Sequence, residues 1–364
     1  MQRHLCIFLP SLDGGGAEKV MLALIERFVA RGVQCDLVIA IDQGQLLNQV
    51  PKEVRLVKLG KRKTIHAALA LARYLRRERP QVLLSTIFSA NLTALLASTL
   101  TTRPFRIVLR EANQTEFDIQ GGTGPLAWVN KHAATCLYRR ADAVIAVAES
   151  VGQGLIKARL TKECHLHVIQ NPVITNSVLQ GSPVASSTIP TILACGRLAP
   201  QKDHATLLRA FVKVRSQVDA TLVILGEGSL LSELQALACR LGISDTVMFA
   251  GFVRNPQDWI RKASLFVHPS RFEGMSNVLI EALACGCPII ATDCPGGTRE
   301  VLADGRYGTL VPVGDEVALA DAILGVLRGD TKFPDASEHL RQFDVERVTD
   351  AYLSVLFPPS REAA

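Results

Sequence analysis

The stretch Ser270-Arg271-Phe272-Glu273-Gly274-Met275-Ser276-Asn277-Val278-Leu279-Ile280-Glu281, with Ala282-Leu283-Ala284-Cys285-Gly286-Cys287-Pro288 behind it, decides how the rest of the chain is read. The apolar run ending in His268-Pro269 predicts a buried strand, and residues 277–284 predict a helix with Ser276 or Asn277 placed to cap it. Glu273 then stands on a loop at the strand's carboxyl end, and Glu281 stands about a turn inside the helix. An open α/β sheet binds its ligand at that edge. The helix's first free N–H groups point into the same space and favour an anion. A nucleotide-sugar suits such a place, with phosphates against the helix start and hydroxyls against the two carboxylates. Glutamates at this spacing are common on solvated surfaces, so their position between a buried strand and a capped helix is what gives the pair weight.

Outward from this stretch, strand and helix patterns alternate along the whole chain. Toward the amino terminus, strands are expected at 5–9, 34–40, 54–59, 82–86, 106–109, 143–147 and 165–169. Helices are expected at 17–31, 65–79, 91–100, 128–140 and 149–159. Gly14-Gly15-Gly16 lies between the first strand and first helix, where glycines let backbone approach a ligand or simply turn the chain. The spacing is not the G-x-G-x-x-G of a dinucleotide site, which counts against an NAD enzyme. The strand at 106–109 is expected to deliver Arg110, Glu111 and Asn113 to the sheet's carboxyl edge. Residues 115–125, with Gly121, Gly122 and Gly124, read as a mobile loop where an acceptor enters.

The texture changes at Asn171-Pro172-Val173, and the run to Ser187 is rich in Ser, Pro, Thr and Gly, as a linker is. Alternation restarts at 189–194, followed by the loop Gly196-Arg197-Leu198-Ala199-Pro200-Gln201-Lys202-Asp203, whose last residue is expected to cap a helix at 204–217. Strand 221–225 ends in Gly226-Glu227-Gly228, and further strands are expected at 246–249, 288–291 and 308–313. Terminal helices are expected at 316–328 and 344–356. Such alternation, twice over, implies two parallel sheets covered on both faces, facing a cleft that holds the ligand. The divisions are 1–170, a linker at 171–188, 189–343, and a tail at 344–364. Arg197 and Lys202 supply fixed cations beside the two glutamates. Charge that grows on a departing diphosphate is stabilised there more than the ground state is.

A chain of 364 residues, 48% of them apolar, has material for two ordinary cores. No apolar run approaches the roughly 18–20 residues of a membrane span, and the start is too short for a signal peptide before its first strand. The nine cysteines show no metal-ligand spacing and read as buried thiols of a reduced cytoplasm; no metal is expected. The net charge of +6 hides an asymmetry, because residues 1–170 carry 23 Lys/Arg against 13 Asp/Glu. Nucleic acid fits poorly, since the basic region lacks interleaved aromatics and a readout motif. An anionic membrane surface fits better, through Lys61-Arg62-Lys63 and a helix bearing Arg73, Arg76 and Arg77; a merely solvated face is the alternative. A cytoplasmic protein, peripheral on the inner face of the membrane, is the resulting expectation.

Glu273 to Glu281, Gly196-Arg197-Leu198 with Lys202, Leu225-Gly226-Glu227-Gly228, Phe249-Ala250-Gly251-Phe252 and Gly14-Gly15-Gly16-Ala17-Glu18 follow one another in the order and spacing of GT4-type retaining glycosyltransferases. The chain resembles that family over nearly its whole length, and most strongly from about 190 to 315. The resemblance implies the GT-B architecture, two Rossmann-like domains facing an interdomain cleft, and a UDP- or GDP-linked sugar donor held mainly by the second domain without a metal or cofactor. It implies that Arg197 and Lys202 hold the diphosphate, that Glu281 bonds the ribose hydroxyls and that Glu273 meets the sugar ring. The backbone of Gly274, Met275, Ser276 and Asn277 would lie along sugar and phosphate, and Gly15 and Gly16 would close the donor site. Many relatives carry a His after the strand matching 106–109, where this chain has Arg110-Glu111-Ala112-Asn113, a pattern similar to a branch acting on bacterial polysaccharides and lipid-linked glycans. On that basis Glu111 joins the catalytic candidates, with Arg110 and Asn113 on the acceptor side. The last helix is expected to cross back to the first domain. The function expected is transfer of a hexose or N-acetylhexosamine to a growing, lipid-linked surface glycan. A nucleotide-sugar epimerase of the same architecture and a non-catalytic glycan- or nucleotide-binding protein are the alternatives.

Overall fold

The computed structural model describes residues 3–102, 105–113, 134–175, 178 and 189–359. The loop expected at 115–125, residues 128–133 of the helix expected at 128–140 and most of the linker lie outside them. In chain order the strands are β1 (His4–Leu9), β2 (Gln34–Ile39), β3 (Arg55–Lys58), β4 (Val82–Thr86), β5 (Arg106–Glu111), β6 (Ala143–Ala146), β7 (Leu166–Val168), β8 (Thr191–Cys195), β9 (Thr221–Leu225), β10 (Val247–Gly251), β11 (Leu265–His268), β12 (Ile289–Thr292) and β13 (Thr309–Val311). The principal helices are α1 (Gly16–Ala30), α2 (Ala68–Glu78), α3 (Phe88–Thr99), α4 (Glu149–Lys157), α5 (His204–Arg215), α6 (Leu231–Arg240), α7 (Asn277–Ala284), α8 (Glu316–Leu327) and α9 (Val345–Leu356).

Among the described residues every strand pairing is parallel. One sheet runs β3-β2-β1-β4-β5-β6-β7 and the other β10-β9-β8-β11-β12-β13. Parallel neighbours need a crossover, and the near-continuous apolar strands, such as Leu5–Leu9 at 0% exposure, are buried on both faces by the helices that make it. In each sheet the strand order reverses once, between β1 and β4 in the first and between β8 and β11 in the second. The loops leaving the carboxyl ends of those strands diverge to opposite faces and leave a crevice.

The chain divides into two compact units, residues 1–172 with 344–364, and residues 173–343. The first unit therefore regains the chain at its end. Val348, Tyr352, Val355 and Leu356 of α9 enter the same core as Met21, Leu24, Ile25 and Phe28 of α1, and Phe28 lies 6.5 Å from Tyr352 between ring centroids. Asp344 caps α9 by accepting from the N–H groups of Glu346 and Arg347, both at 3.0 Å. The core of the second unit gathers Leu207, Leu208 and Phe211 of α5 with Leu319 and Ile323 of α8 beneath Ile192, Leu222, Val267 and Ile290. Val173 and Ile174, expected inside the linker, belong to this unit, and their N–H groups both donate to Phe343 O.

Two expectations are corrected here. The ladder of β5 does not end at 109, because Arg110 and Glu111 pair in register with Ile145 and Ala146 of β6. Both side chains are buried rather than presented at the sheet edge. Arg110 donates to Tyr352 Oη of α9 (2.9 Å), Thr86 Oγ1 of β4 (3.0 Å) and Asn171 Oδ1 (2.7 Å). It therefore fastens the returning helix and the end of the first unit's main segment to the sheet. Glu111 accepts from Asn91 Nδ2 at 2.7 Å and from the Tyr138 hydroxyl. Neither side chain is placed to handle an acceptor, whereas Asn113, beyond the strand, is partly exposed. Asp203, in turn, precedes α5 but does not cap it. It adopts the left-handed conformation (φ 43°) and makes no side-chain bond to the helix N–H groups.

Candidate functional site

The second unit's crevice lies between the loops that follow β8 and β11, and these loops are the two that the sequence singles out. They are stitched together by backbone and side chain. Arg271 N donates to Gln201 O (2.8 Å), Gln201 Nε2 donates to Phe272 O (2.8 Å), and Arg271 Nε donates to Asp203 Oδ2 (3.0 Å). The carboxylate expected as a cap is thus the tie between the loops, with Thr206 Oγ1 donating to the same oxygen at 3.0 Å. At the centre, Lys202 Nζ is hydrogen-bonded and ion-paired to Glu273 Oε1.

Glycines permit this closeness. The stem of Lys202 runs over Gly196, where a Cβ would stand 3.2 Å from Lys202 Cγ. A Cβ on Gly226 would lie 2.0 Å from Gly196 O, and one on Gly228 would lie 2.3 Å from Leu198 O. Gly296, on the loop after β12, has φ +123° and would place a Cβ 1.8 Å from Glu273 O. Around that contact Glu273 N donates to Pro295 O (2.9 Å) and Gly297 N donates to Gly274 O (2.7 Å). Four neighbouring loops therefore meet backbone to backbone around the Lys202–Glu273 pair.

The pair's electrostatics follow from its burial, since Glu273 is 5% exposed. Burial alone would raise the Glu273 carboxyl, but the charge of the Lys202 ammonium holds it well below the usual carboxylate range. His268, the last residue of β11, is 1% exposed, and its Nε2 stands 3.1 Å from Glu273 Oε1 without hydrogen-bond alignment. Burial lowers its basicity and keeps the ring neutral. His204, the first residue of α5, is pushed down to about 4, chiefly by burial and then by the charge of Lys202. The sequence points to His268 only as a structural residue before Pro269. His204 carries no signal beyond its position two residues after Lys202.

Of the other donor-site candidates, Arg197 is exposed on the β8 loop, and its side chain makes no ion pair or hydrogen bond among the described residues. Glu281 lies half-buried on the second turn of α7. Gly274, Met275 and Ser276 are buried between Glu273 and the helix, and Asn277 opens it. Ser276 occupies the cap position in extended conformation, and no side chain caps the helix.

In the first unit, Gly14 has φ +98°, Gly15 is the cap residue of α1, and Gly16 begins it. Gly15 has an internal reason as well, since a Cβ there would meet Glu18 Oε2 at 2.4 Å. The loop after β4, on the other side of this unit's reversal point, contains Ile87 at φ +75°. A β-branched residue there is strained, and nothing in the sequence flags it. Among the described residues no group of three His, Cys, Asp or Glu is arranged to hold a metal, and no helix is long and apolar enough to cross a membrane. All nine cysteines are free thiols.

With this geometry in place, comparison with known proteins is informative. Residues 14–177 match the family model described as Glycosyltransferase Family 4, and residues 189–329 match the one described as Glycosyl transferases group 1. The chain is 35% identical over 206 residues to the N-acetylgalactosamine-N,N'-diacetylbacillosaminyl-diphospho-undecaprenol 4-alpha-N-acetylgalactosaminyltransferase of Campylobacter jejuni, covering 56% of this chain and 55% of that one. It is 27% identical over 227 residues to the lipopolysaccharide core biosynthesis glycosyltransferase LpsE of Rhizobium meliloti, covering 60% and 65%. The chain thus spans about half the length of the first relative and under two thirds of the second. Among solved structures, Anabaena Alr3699/HepE in complex with UDP and glucose superposes with a TM-score of 0.80 at 19% identity, covering 97% of this chain and 99% of that one. Two all-parallel Rossmann-like units, glycine-knit loops at the second unit's reversal point, and family models over both units place the chain among the GT4-type glycosyltransferases of the GT-B fold.

Proposed function

We propose that this chain is a retaining, metal-independent glycosyltransferase. It moves a hexose or N-acetylhexosamine from a UDP- or GDP-linked donor to a growing bacterial surface glycan carried on a lipid. The observation that carries the reading is the pairing of half-buried Lys202 with buried Glu273 beside the start of α7, which no side chain caps. A diphosphate brought to that helix start competes for the Lys202 ammonium, with the exposed Arg197 as the second cation. Charge that develops on the phosphate as the glycosidic bond breaks is stabilised by fixed donors that need no reorganisation. Glu281 bonds the ribose and Glu273 the sugar ring. The acceptor oxygen forms the new bond on the face the diphosphate leaves, and the departing phosphate oxygen takes its proton. The names of the Campylobacter and Rhizobium relatives support the acceptor class.

Thermal-shift measurements against UDP, GDP and their sugars test the donor site, because a ligand bound only by the folded state raises its stability. Lys202→Ala and Glu281→Ala are expected to stay folded and lose transfer. Wild-type turnover in both removes the assignment. Unchanged transfer after chelation supports the metal-independent reading, and donor incubated without acceptor should not be epimerised.

The acceptor's lipid implies a surface for it, and the first unit offers one. Between Lys61 and Arg77 there are six Lys/Arg and no acidic residue. Arg62, Lys63, Ile65, Leu69, Arg73 and Arg77 are exposed along the turn Thr64–Ala67 and α2, Leu69 by 63%. Cations flanking bare apolar side chains suit the interface of an anionic bilayer. Cosedimentation with phosphatidylglycerol-containing vesicles but not with pure phosphatidylcholine is expected, and its loss is expected in Arg62→Glu/Leu69→Glu/Arg73→Glu. Equal binding to both vesicle types would refute it.

A further inference from the structure

The alternation of β11 sends Leu265 and Val267 into the core under α5 and α8. Phe266 and His268 take the other face, with their rings stacked 6.5 Å apart at 17°. The His268 backbone is held in turn, since Thr292 Oγ1 donates to His268 O (3.4 Å) and to Ser270 O. The imidazole is thus a fixed, almost fully buried group. Its Nε2 has no hydrogen-bond partner among the described residues, although Glu273 Oε1 is only 3.1 Å away. That oxygen is already engaged by Lys202 Nζ. A buried ring nitrogen left unbonded is costly, and one standing beside an ionised carboxylate has an evident use.

We propose that His268 is a positioning residue for Glu273, a reserve hydrogen-bond donor that takes over the carboxylate when Lys202 is drawn to the donor's diphosphate. The inference rests on the donor-site reading of Lys202 and Glu273 given above. A carboxylate as buried as Glu273 cannot stay ionised or keep its direction once Lys202 turns away, unless another donor replaces it. A small rotation aligns Nε2–H with Oε1 and restores a charge-assisted bond. Because burial keeps the ring neutral, this donor adds no second positive charge beside Lys202. Glu273 therefore faces the sugar ring in one protonation state and one orientation throughout turnover. A purely structural histidine needs no particular nitrogen facing the loop, whereas this role requires Nε2–H.

The test uses the full chain in two arms. In the first, imidazole ¹⁵N NMR, with the His268 signals assigned by their loss in His268→Gln, is expected to show a neutral Nε2–H tautomer. Its proton should move downfield on addition of UDP, and also without ligand in Lys202→Met, where the ammonium is gone. In Glu273→Gln the downfield movement should be absent. In the second arm, turnover is measured with whichever UDP- or GDP-hexose the wild type uses. His268→Phe keeps the stacked ring and should lower kcat about tenfold or more, with the donor KM within about threefold of wild type. His268→Gln, whose amide nitrogen stands where Nε2 stood, should recover kcat to within about threefold, and His268→Asn, which is too short, should not. An Nδ1–H tautomer, no response in Lys202→Met, or equal kcat in His268→Phe and wild type each overturns the proposal. Failure of the wild type to bind UDP or GDP refutes the donor-site reading instead, and the Lys202→Met spectrum then judges the His268–Glu273 coupling by itself.

Discussion

Gly296→Ala is the substitution for which the structure gives the largest local consequence with the smallest chemical change. The backbone at Gly296 has φ +123°, a region that costs an L-residue about 1–3 kcal/mol. The new Cβ would stand 1.8 Å from Glu273 O, while real Cβ contacts do not fall below 3.0 Å, so the two loops must part by about 1.2 Å. That movement strains the Glu273 N to Pro295 O and Gly297 N to Gly274 O bonds, together worth about 1–2 kcal/mol. The expected loss of unfolding free energy is therefore about 2–5 kcal/mol. Glu273 shifts with its loop by about 1 Å, a displacement that can cost roughly a hundredfold in turnover. The control is Gly242→Ala, where φ is +69° and nothing lies within 4 Å of the new Cβ. It should lose only the left-handed backbone cost, about 1–2 kcal/mol, and keep full turnover. Urea unfolding and donor turnover, measured well below either variant's melting temperature, decide the matter. If Gly296→Ala matches Gly242→Ala in both, the close packing of these loops around Glu273 is not what the site depends on.

Arg110→Met orphans the acceptors Tyr352 Oη, Thr86 Oγ1 and Asn171 Oδ1. Even after the gain from removing a buried charge, it should cost about 3 kcal/mol and speed amide exchange along α9 before the rest of the first unit. Lys202→Met leaves Glu273 buried without its cation and should cost about 3–5 kcal/mol near neutral pH. In the wild type the folded-state depression of Glu273 gives stability that is complete above the unfolded pKa near 4.5 and is lost as pH falls below it; Lys202→Met should weaken that part of the acid dependence, as read by unfolding titrations. His204, 3% exposed and pushed down to about 4 from 6.5, stays neutral while its unfolded counterpart gains a proton. Stability should therefore fall by about 3 kcal/mol as pH drops from 6.5 to about 4, and the difference from His204→Phe isolates this contribution. Ile87→Gly should raise the melting temperature by relieving the positive φ, and an unchanged or lower value would show that Ile87 is not strained.

The alternation of strand and helix was legible in the sequence because its cause is local. A strand buried on both faces must be continuously apolar, and an amphipathic crossover helix must repeat every three to four residues. The same reasoning found the loop after β11 and the Gly-Arg-Leu…Lys loop after β8, since loops at strand ends carry polar groups and glycines where backbones approach. Short-range bonding decided less. Asp203 sits where a cap belongs, yet its carboxylate is claimed by Arg271 from 68 positions away, and the helix start goes without. Arg110 and Glu111 look like edge residues because two charges follow an apolar run. Only the pairing of β5 with β6 and the arrival of Tyr352, 242 positions later, show that they are buried and satisfied. That Lys202 and His268 converge on one oxygen of Glu273 is likewise a product of sheet order. β8 and β11 are separated by two strands in the chain and by none in the sheet. What the sequence by itself determined is which segments form strands and helices and which loops carry charge, because burial pattern and turn chemistry act over a few residues. What only the tertiary structure decided is which charges meet and which are buried, because that depends on strand adjacency, and adjacency is set by crossovers whose ends are far apart in the chain.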